Sequence, residues 1–345
     1  MNIRNLTIEE LTDEIVKIGL PKFRAKQVYE WLHKHMVNSL SESSNIGKDI
    51  QNKISDNFDL SYPVLDEEYC SKLDETKKYL IRLNDGYIIE SVLMKYKFGY
   101  TVCISSQVGC DMGCKFCAST IGGCKRNLDV YELLAQIYII SKKNNVKITN
   151  IVVMGSGEPL NNFDNIVKFL KIINSEDGQN ISHRNITIST CGIVPKINKL
   201  AELDFSITLA LSLHAPNDTI RKTLMPIANA YTLKETMDAM ANYFSKTGRR
   251  ITFEYSLVKN VNDSIDNAKE LCDLLMGYKN KHIDFNVNLI PVNEVKETKC
   301  ENPGRIRVQN FKKILDERDI NATIRRELGS DISGSCGQLR ASKKI

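Results

Sequence analysis

From position 100 onward the chain alternates two kinds of segment. Short runs rich in β-branched and apolar residues occupy 100–106, 150–154, 185–190, 207–213, 251–258 and 284–290. Between them, apolar residues recur at helical spacing. Val130, Leu133, Leu134, Ile137 and Tyr138 form one such stripe, opened by Asp129 with Glu132 three residues on. Ile166, Val167, Phe169, Leu170 and Ile173 form the next. Six strands alternating with helices predict an α/β fold with a parallel sheet. A partial (β/α)6 barrel and a flat doubly wound sheet both satisfy that pattern. Either one puts ligands at the C-terminal ends of its strands.

The stretch before position 100 is patterned differently. Thr7 and Glu10 make a capping box, so a helix is expected from there to about Ile18, with Gly19 as its stop. Pro21 opens a second helical stretch, 22–36. Phe23, Val28, Trp31 and Leu32 give it an apolar side, and Lys22, Arg24, Lys26, His33, Lys34 and His35 a basic one. That basic side suits solvent or the phosphates of a nucleic acid equally well. Residues 78–94 predict a hairpin. Tyr79, Ile81 and Leu83 alternate, Asn84-Asp85-Gly86 supplies the turn, and the chain returns from Tyr87 to Met94. Ile88, Glu90, Val92 and Met94 share one face of the return strand. A carboxylate among apolar neighbours is costly to bury. Glu90 is therefore expected either at an exposed edge or poised for proton-transfer chemistry. The chain divides into a small helical accessory domain (1–60), a β-hairpin extension (61–98), the α/β core (99–330) and a C-terminal segment (331–345).

Composition narrows the class. With 345 residues, 42% hydrophobic and 26% charged, the chain can bury a full globular core. No apolar run reaches the roughly 18 residues of a membrane span. The start, Met1-Asn2-Ile3-Arg4-Asn5, has no apolar leader. A cytoplasmic protein without a membrane partner is expected. The net charge of +5 is a mild bias toward polyanions and is compatible with RNA. Ten cysteines in such a chain point to metal or redox chemistry and not to a disulfide framework.

Three of those cysteines form a constellation. Cys110, Cys114 and Cys117 stand at C-x3-C-x2-C directly after the first predicted core strand. Three thiolates on one loop can hold three irons of a 4Fe–4S cluster and leave the fourth iron open to a small molecule. Phe116 would shield one side of it. The plain alternative is a zinc knuckle completed by Cys103 or Cys124, but structural zinc sites bring two separated C-x2-C pairs and no second pair is present. Gly155-Ser156-Gly157-Glu158-Pro159 follows the second core strand, where two glycines let backbone approach a ligand and Glu158 can accept from an ammonium. Ser189, Ser212-Leu213-His214 and Asn293 close later strands. Each can bond a ribose or carboxylate, and singly each is more readily a turn or cap residue. Cys336 sits among small, flexible residues and is expected to be an accessible, reactive thiol.

The C-x3-C-x-aromatic-C pattern resembles the signature of the radical S-adenosylmethionine (SAM) superfamily, and the GxGEP stretch resembles that superfamily's element for the amino group of SAM. Nearly the whole chain is similar to the RlmN/Cfr family of radical SAM rRNA adenine methyltransferases. The likeness runs through Pro-Lys-Phe-Arg-Ala-Lys-Gln-Val from Pro21, Cys-Ile-Ser-Ser-Gln-Val-Gly-Cys from Cys103, Cys-Lys-Phe-Cys from Cys114 and Met-Gly-Ser-Gly-Glu-Pro from Met154. It continues through Ser-Leu-His-Ala-Pro-Asn from Ser212 and Ser-Cys-Gly-Gln-Leu from Ser335. The Cys103 and Cys336 elements separate this family from other radical SAM enzymes.

The resemblance implies a partial (β/α)6 radical SAM barrel with an RNA-binding N-terminal accessory domain. It implies one 4Fe–4S cluster on Cys110, Cys114 and Cys117, and a SAM pocket of Gly157, Glu158, Ser189, Ser212, Leu213, His214 and Asn293. Cys336 would carry a methyl group, Cys103 would be its partner in a disulfide, and Glu90 matches a proposed proton acceptor. Two SAM molecules would serve each turnover, one to methylate Cys336 and one to yield a 5′-deoxyadenosyl radical. The implied partners are 23S rRNA, tRNA and a reductant such as flavodoxin or ferredoxin, with the chain a monomer. The expected product is adenine methylated at C2. Pro159 favours C2 over the C8 product of Cfr-type enzymes, which confers antibiotic resistance and where Ala is common at that place. A zinc-stabilised RNA-binding protein without catalysis is the rival from another class. The chain departs from the family pattern at Ser156, where Met or Ile is common, and at Glu294, where Pro often follows the counterpart of Asn293. Cys124 has no family role.

Overall fold

Side chains of opposite character take opposite faces of the core strands, and the computed structural model shows what each face meets; it describes residues 1–340 and the backbone of Ser342 and Lys343. Four antiparallel strands lead one large sheet: β1 (Val64–Cys70), β2 (Lys77–Arg82), β3 (Tyr87–Tyr96) and β4 (Gly99–Ile104). Two-residue strands β5 (Gln107–Val108) and β6 (Arg126–Asn127) pair only with each other. From β4 the sheet continues in parallel through β7 (Ile148–Val153), β8 (Ile186–Thr190), β9 (Thr208–Ser212), β10 (Ile251–Leu257), β11 (Phe285–Pro291) and β12 (Ala322–Ile324). A terminal pair, β13 (Ser342–Lys343), lies antiparallel to β3.

The six predicted core strands are present within two residues of their expected ends. The strands that the pattern missed lack it. The centre of β1 is Asp66-Glu67-Glu68 on a half-exposed edge, and β12 is three residues long. Ile188, Leu209, Leu211, Phe253, Tyr255, Val287 and Leu289 are buried on the outer face under the helices. Truncating one of them, Phe253 for example, would cost about 3–5 kcal/mol. The alternate positions look inward and are polar: Thr187 and Ser189, Thr208 and Ser212, Thr252, Glu254 and Ser256, Asn286 and Asn288. Register sets Ser212, Glu254 and Asn288 side by side, and Asn288 Nδ2 donates to Glu254 Oε1 at 2.9 Å. Residues from β7 through β11 line one cavity. A flat sheet would spread those five strands out, so the sheet curls into a partial barrel with polar side chains inside.

The N-terminal helices share the barrel's apolar core. Arg4 is fully buried and donates to the carbonyls of Val37, Asn38 and Leu60. Asn5 accepts from the Tyr131 amide at the start of the helix Val130–Asn144. The second predicted helix behaves differently from its pattern. It is α-helical over Phe23–Tyr29 and then takes a wider π-turn over Glu30–Lys34. His33, one turn after the buried Tyr29, leaves the basic side: it is fully buried, and its Nδ1 lies 3.0 Å from Tyr138 Oη. Burial and the nearby Arg4 charge lower its pKa to about 3. Phe23, expected on the apolar side, is 58% exposed and lies under the Arg24 guanidinium. Lys26 is engaged by Asp177 at 2.9 Å. No helix among the described residues is long and apolar enough to cross a membrane.

Candidate active site

The loop with Cys110, Cys114 and Cys117 leaves the barrel where β4 ends, and its base is pinned by β5 and β6. Gly109 takes φ +80°, and a Cβ there would stand 2.0 Å from the Gly123 carbonyl oxygen, so the loop closes only on glycine. Lys115 N–H donates to Leu224 O and Asp111 Oδ1 accepts from Cys124 N–H, which fixes the loop on both flanks. All three cysteines line the cavity at the strand ends. Burial pushes their thiols up, Cys110 to about 12, and for Cys110 and Cys114 the neighbouring cysteines add to the rise. Three such thiols become thiolates only if a cation neutralises them. Phe116 lines the same cavity and stands edge-on to His214 with centroids 4.8 Å apart.

Gly157, Glu158, Ser189, Ser212, His214 and Asn293 come together on the wall of this cavity, whose empty space is about 950 Å³. Leu213 does not join them. Its side chain is in the core and its amide donates to Glu254 O. The glycines of the GxGEP stretch serve the fold directly. A Cβ on Gly155 would stand 2.8 Å from the Ile104 carbonyl, and one on Gly157, at φ +106°, 2.7 Å from the Gln107 amide nitrogen. The turn after β7 therefore presses against the turn after β4. Glu158 is buried and accepts from the amides of Leu160 at 3.0 Å and Cys191 at 2.8 Å, while burial raises its pKa. His214 takes φ +55°, and its Nδ1 accepts from Ser256 N–H at 2.8 Å. That bond leaves the proton on Nε2. Burial, with Arg221 adding to it, lowers the His214 pKa to about 3, so the ring is a neutral donor.

Cys336 closes this cavity and opens a second one. The second cavity, of about 690 Å³, is lined by Cys103, Val92, Met94, Tyr96, Met154, Arg325 and Leu339 as well as Cys336. Cys336 is thus the thiol on the wall that both spaces share. It is open to that space, whereas Cys103 is buried. Burial and the Cys336 charge push Cys103 to about 12, while Arg325 opposes the burial that raises Cys336.

The segment carrying Cys336 is held from many sides. Asn293 Nδ2 donates to Cys336 O at 2.9 Å, Ser119 Oγ to Leu339 O at 2.6 Å and Ala118 N–H to Gly337 O at 2.7 Å. Asp331 accepts from Ser71 and Lys72, and Asp74 from the Gly329 amide. Glu90 belongs to this set. It is neither at an exposed edge nor on a cavity wall. Lys78 Nζ stands 3.3 Å from Glu90 Oε1, and the Arg340 amide donates to Glu90 Oε2 at 2.9 Å.

Comparison with known proteins bears on this geometry. Residues 1–60 match the family described as "Ribosomal RNA large subunit methyltransferase N-terminal domain", and residues 104–275 match the "Radical SAM superfamily". A protein of Lachnoclostridium phytofermentans named "Probable dual-specificity RNA methyltransferase RlmN" is 54% identical over 99% of this chain and 95% of its own length. A protein of Clostridium novyi with the same name is 52% identical over 98% and 97%. The chain belongs to the RlmN family of radical SAM RNA methyltransferases. A crystal structure titled as a radical SAM methyltransferase from Sphaerobacter thermophilus matches with TM-score 0.93 and 39% identity, over 98% of this chain and 99% of that one. Membership in the radical SAM superfamily implies a 4Fe–4S cluster and SAM.

In this RlmN-family site several residues escaped the sequence reading. Glu254 and Ser256 line the first cavity, and Arg325 the second, where it reaches within 3.9 Å of Glu254. Cys191 lines the first cavity beside Glu158. Arg221 is fully buried on the helix Asp218–Leu224 and donates to the carbonyls of Cys191, Ser212 and Leu213. A signal for Glu254 was available: in Ile251-Thr-Phe-Glu-Tyr-Ser-Leu257 it sits on the polar alternate of an apolar strand. Arg325 carried none, since it follows a strand too short to show alternation.

Proposed function

We propose that this enzyme methylates C2 of adenine in 23S rRNA and in tRNA, using Cys336 as a methyl carrier and Cys103 as the thiol that releases the product. The observation that carries the reading is the position of Cys336 between the cavity of the three loop cysteines and the cavity of Cys103. The dual-specificity name of the relatives supports action on two kinds of RNA. Pro159 after Gly157-Glu158 supports C2 over C8.

The residues fit the implied cluster. Three thiols, Cys110 buried and Cys114 and Cys117 partly buried, face a space open to a small ligand. Three cysteines on one loop suit a cubane with one cysteine per iron, and no second C-x2-C pair is present to complete a structural zinc site. Cys110, Cys114 and Cys117 hold it in this proposal. When bound, the cluster supplies the electron that splits SAM into methionine and a 5′-deoxyadenosyl radical. Gly157, Glu158, Ser189, Ser212, His214 and Asn293 bind and orient SAM, with Leu213 packed behind them. His214 serves as a neutral Nε2–H donor.

The chemistry of adenine explains the two further thiols. C2 is electron-poor and its hydrogen is not acidic, so a direct displacement on SAM fails. Cys336 Sγ instead takes the methyl group of a first SAM by displacement, losing its proton as the sulfonium bond breaks. The radical from a second SAM removes a hydrogen atom from that S-methyl group, and the resulting carbon radical bonds to C2. The adduct would return one electron to the cluster that Cys110, Cys114 and Cys117 would hold, and Glu90 takes the C2 proton once Lys78 and the Arg340 amide release it. Cys103 then attacks Cys336 Sγ. The sulfur–carbon bond breaks, the freed methylene takes up the proton that the Cys103 thiol gives up, methylated RNA leaves, and a Cys103–Cys336 disulfide remains to be reduced. Residues 1–60 grip RNA, 61–98 brace the C-terminal segment, 99–330 form the catalytic barrel and 331–345 carry the methyl. A flavodoxin- or ferredoxin-type reductant, a monomeric state and a cytoplasmic location complete the proposal.

The test is mass spectrometry of rRNA and tRNA nucleosides from cells lacking the chain and from cells re-expressing it. 2-Methyladenosine appearing with the chain supports the reading; 8-methyladenosine assigns the C8 branch; no methyl difference contradicts both. Iron and sulfide analysis of anaerobically purified protein addresses the non-catalytic rival, which requires stoichiometric zinc without sulfide.

A further inference from the structure

The second cavity reaches the end of β3. Its lining includes Tyr96, the last residue of β3. Two residues on, at the turn into β4, Phe98 stacks on Tyr96 with ring centroids 5.0 Å apart and planes 5° from parallel. Phe98 is 65% exposed, so one face of a two-ring stack points out of the protein. An aromatic ring left in water forgoes its burial free energy. Here that ring is aligned by a partner whose other contacts reach the space holding Cys103 and Cys336.

The charges around the stack identify what would cover it. Arg326 is exposed, lines the same cavity, and lies near enough to Tyr96 to act on its ionisation, as does Arg325. Lys97, between Tyr96 and Phe98 in the sequence, is also exposed. Glu327 is on this wall too, leaving the rim with more positive than negative charge. Flat aromatic faces beside guanidinium and ammonium groups suit a splayed-out nucleobase and its phosphates. A protein surface would cover the ring as well, but it has no need of parallel stacking or of a cationic surround.

We infer that Phe98, aligned by Tyr96, is a stacking platform for a nucleobase next to the target adenine, with Arg326 and Lys97 on the flanking phosphates. This rests on the RNA methyltransferase reading above and specifies how the RNA enters the same site. Phe98 touches neither SAM nor the reacting atoms; it positions the strand.

The experiment uses an RNA fragment containing the target adenine, with 2-aminopurine placed in turn at each flanking nucleotide. The full-length cluster-loaded enzyme should quench one of these probes, because stacking on an aromatic ring quenches it. Phe98→Ala should lose that quench and raise KM for RNA by roughly 5- to 100-fold, the range that stacking on one base supplies. The turnover number should hold, as should methylation of Cys336 in the absence of RNA. Phe98→Tyr should restore both quench and KM. A Phe98→Ala enzyme with wild-type quench and KM overturns the platform, and so does a Phe98→Tyr enzyme that behaves like the alanine variant. Failure of the underlying reading is distinguishable, since the wild-type enzyme would then leave the RNA unmethylated.

Discussion

The two cavities that meet at Cys336 are built in opposite ways. The first is local. Its three loop thiols lie within eight consecutive residues, and most of its wall consists of strand ends that the parallel register brings into line. The second is assembled from afar: β3 and β4 give one side, and the segment 325–339 the other. That segment is fastened by single hydrogen bonds to Ser71, Asp74, Ser119 and Asn293 and by the Glu90 contact. A local site keeps its geometry through covalent spacing and glycine turns. A clipped segment keeps its geometry only while its clips hold, and it can be moved by releasing a few of them. The difference fits the proposed chemistry, in which the cluster stays fixed while Cys336 meets SAM, adenine and Cys103 in succession.

The largest expected effect breaks the local site. Cys114→Ala should abolish SAM cleavage and remove most bound iron and sulfide, measured per chain after anaerobic purification. Cys103→Ala, on the other side of Cys336, should keep full iron. Equal iron loss in both would erase the distinction between the cavities.

Glu90→Gln comes next. The variant should still methylate Cys336, because that step needs no base at the adenine. Subsequent turnover should fall by about 10²- to 10⁴-fold, the usual contribution of a positioned base. Single-turnover assays with methylated enzyme separate the two. If Glu90 only clips the segment, Lys78→Met should reproduce the whole defect, including slower methylation of Cys336.

A single clip should matter less. Asn293→Ala removes the donor to the Cys336 carbonyl and should slow methylation of Cys336 about tenfold, equivalent to about 1.4 kcal/mol for one hydrogen bond. Iron content should not change. A variant with a wild-type rate would show that the segment is held without that bond.

The smallest effect lies outside both cavities. Neutralising Lys22, Arg24 and Lys34 should weaken RNA binding modestly and reduce the slope of log affinity against log salt by about 2. Lys26 is left out because Asp177 already engages it. RNA-independent methylation of Cys336 is the control that must not move.

Legibility in the sequence divides along the same line. The core strands, the cysteine loop and the strand-end residues were legible because each depends on spacing within a short window. His33 was misplaced because its side chain was grouped with the basic residues, while helical spacing puts it one turn after the buried Tyr29. Phe23 was assigned to an apolar side whose packing covers Val28 and Leu32 but not Phe23 itself. The glycines after β7 were read as room for a ligand, whereas neighbouring backbone already needs that room. The pattern made Glu90 conspicuous but concealed its partners, since Lys78 is twelve residues away and Arg340 lies at the other end of the chain.

The central claim is that Cys336 carries the methyl group and Cys103 releases it, and one measurement addresses it directly. Cys103→Ala and Cys336→Ala enzymes are each isolated under denaturing conditions and assayed for covalently attached RNA. Cys103→Ala should stall after carbon–carbon bond formation, giving protein that retains RNA through denaturation and loses it to ribonuclease. Cys336→Ala should retain none and make no methylated RNA. If both thiols merely pack in the interior, both variants would lose activity in step with stability and neither would hold RNA. That symmetrical outcome would contradict the account.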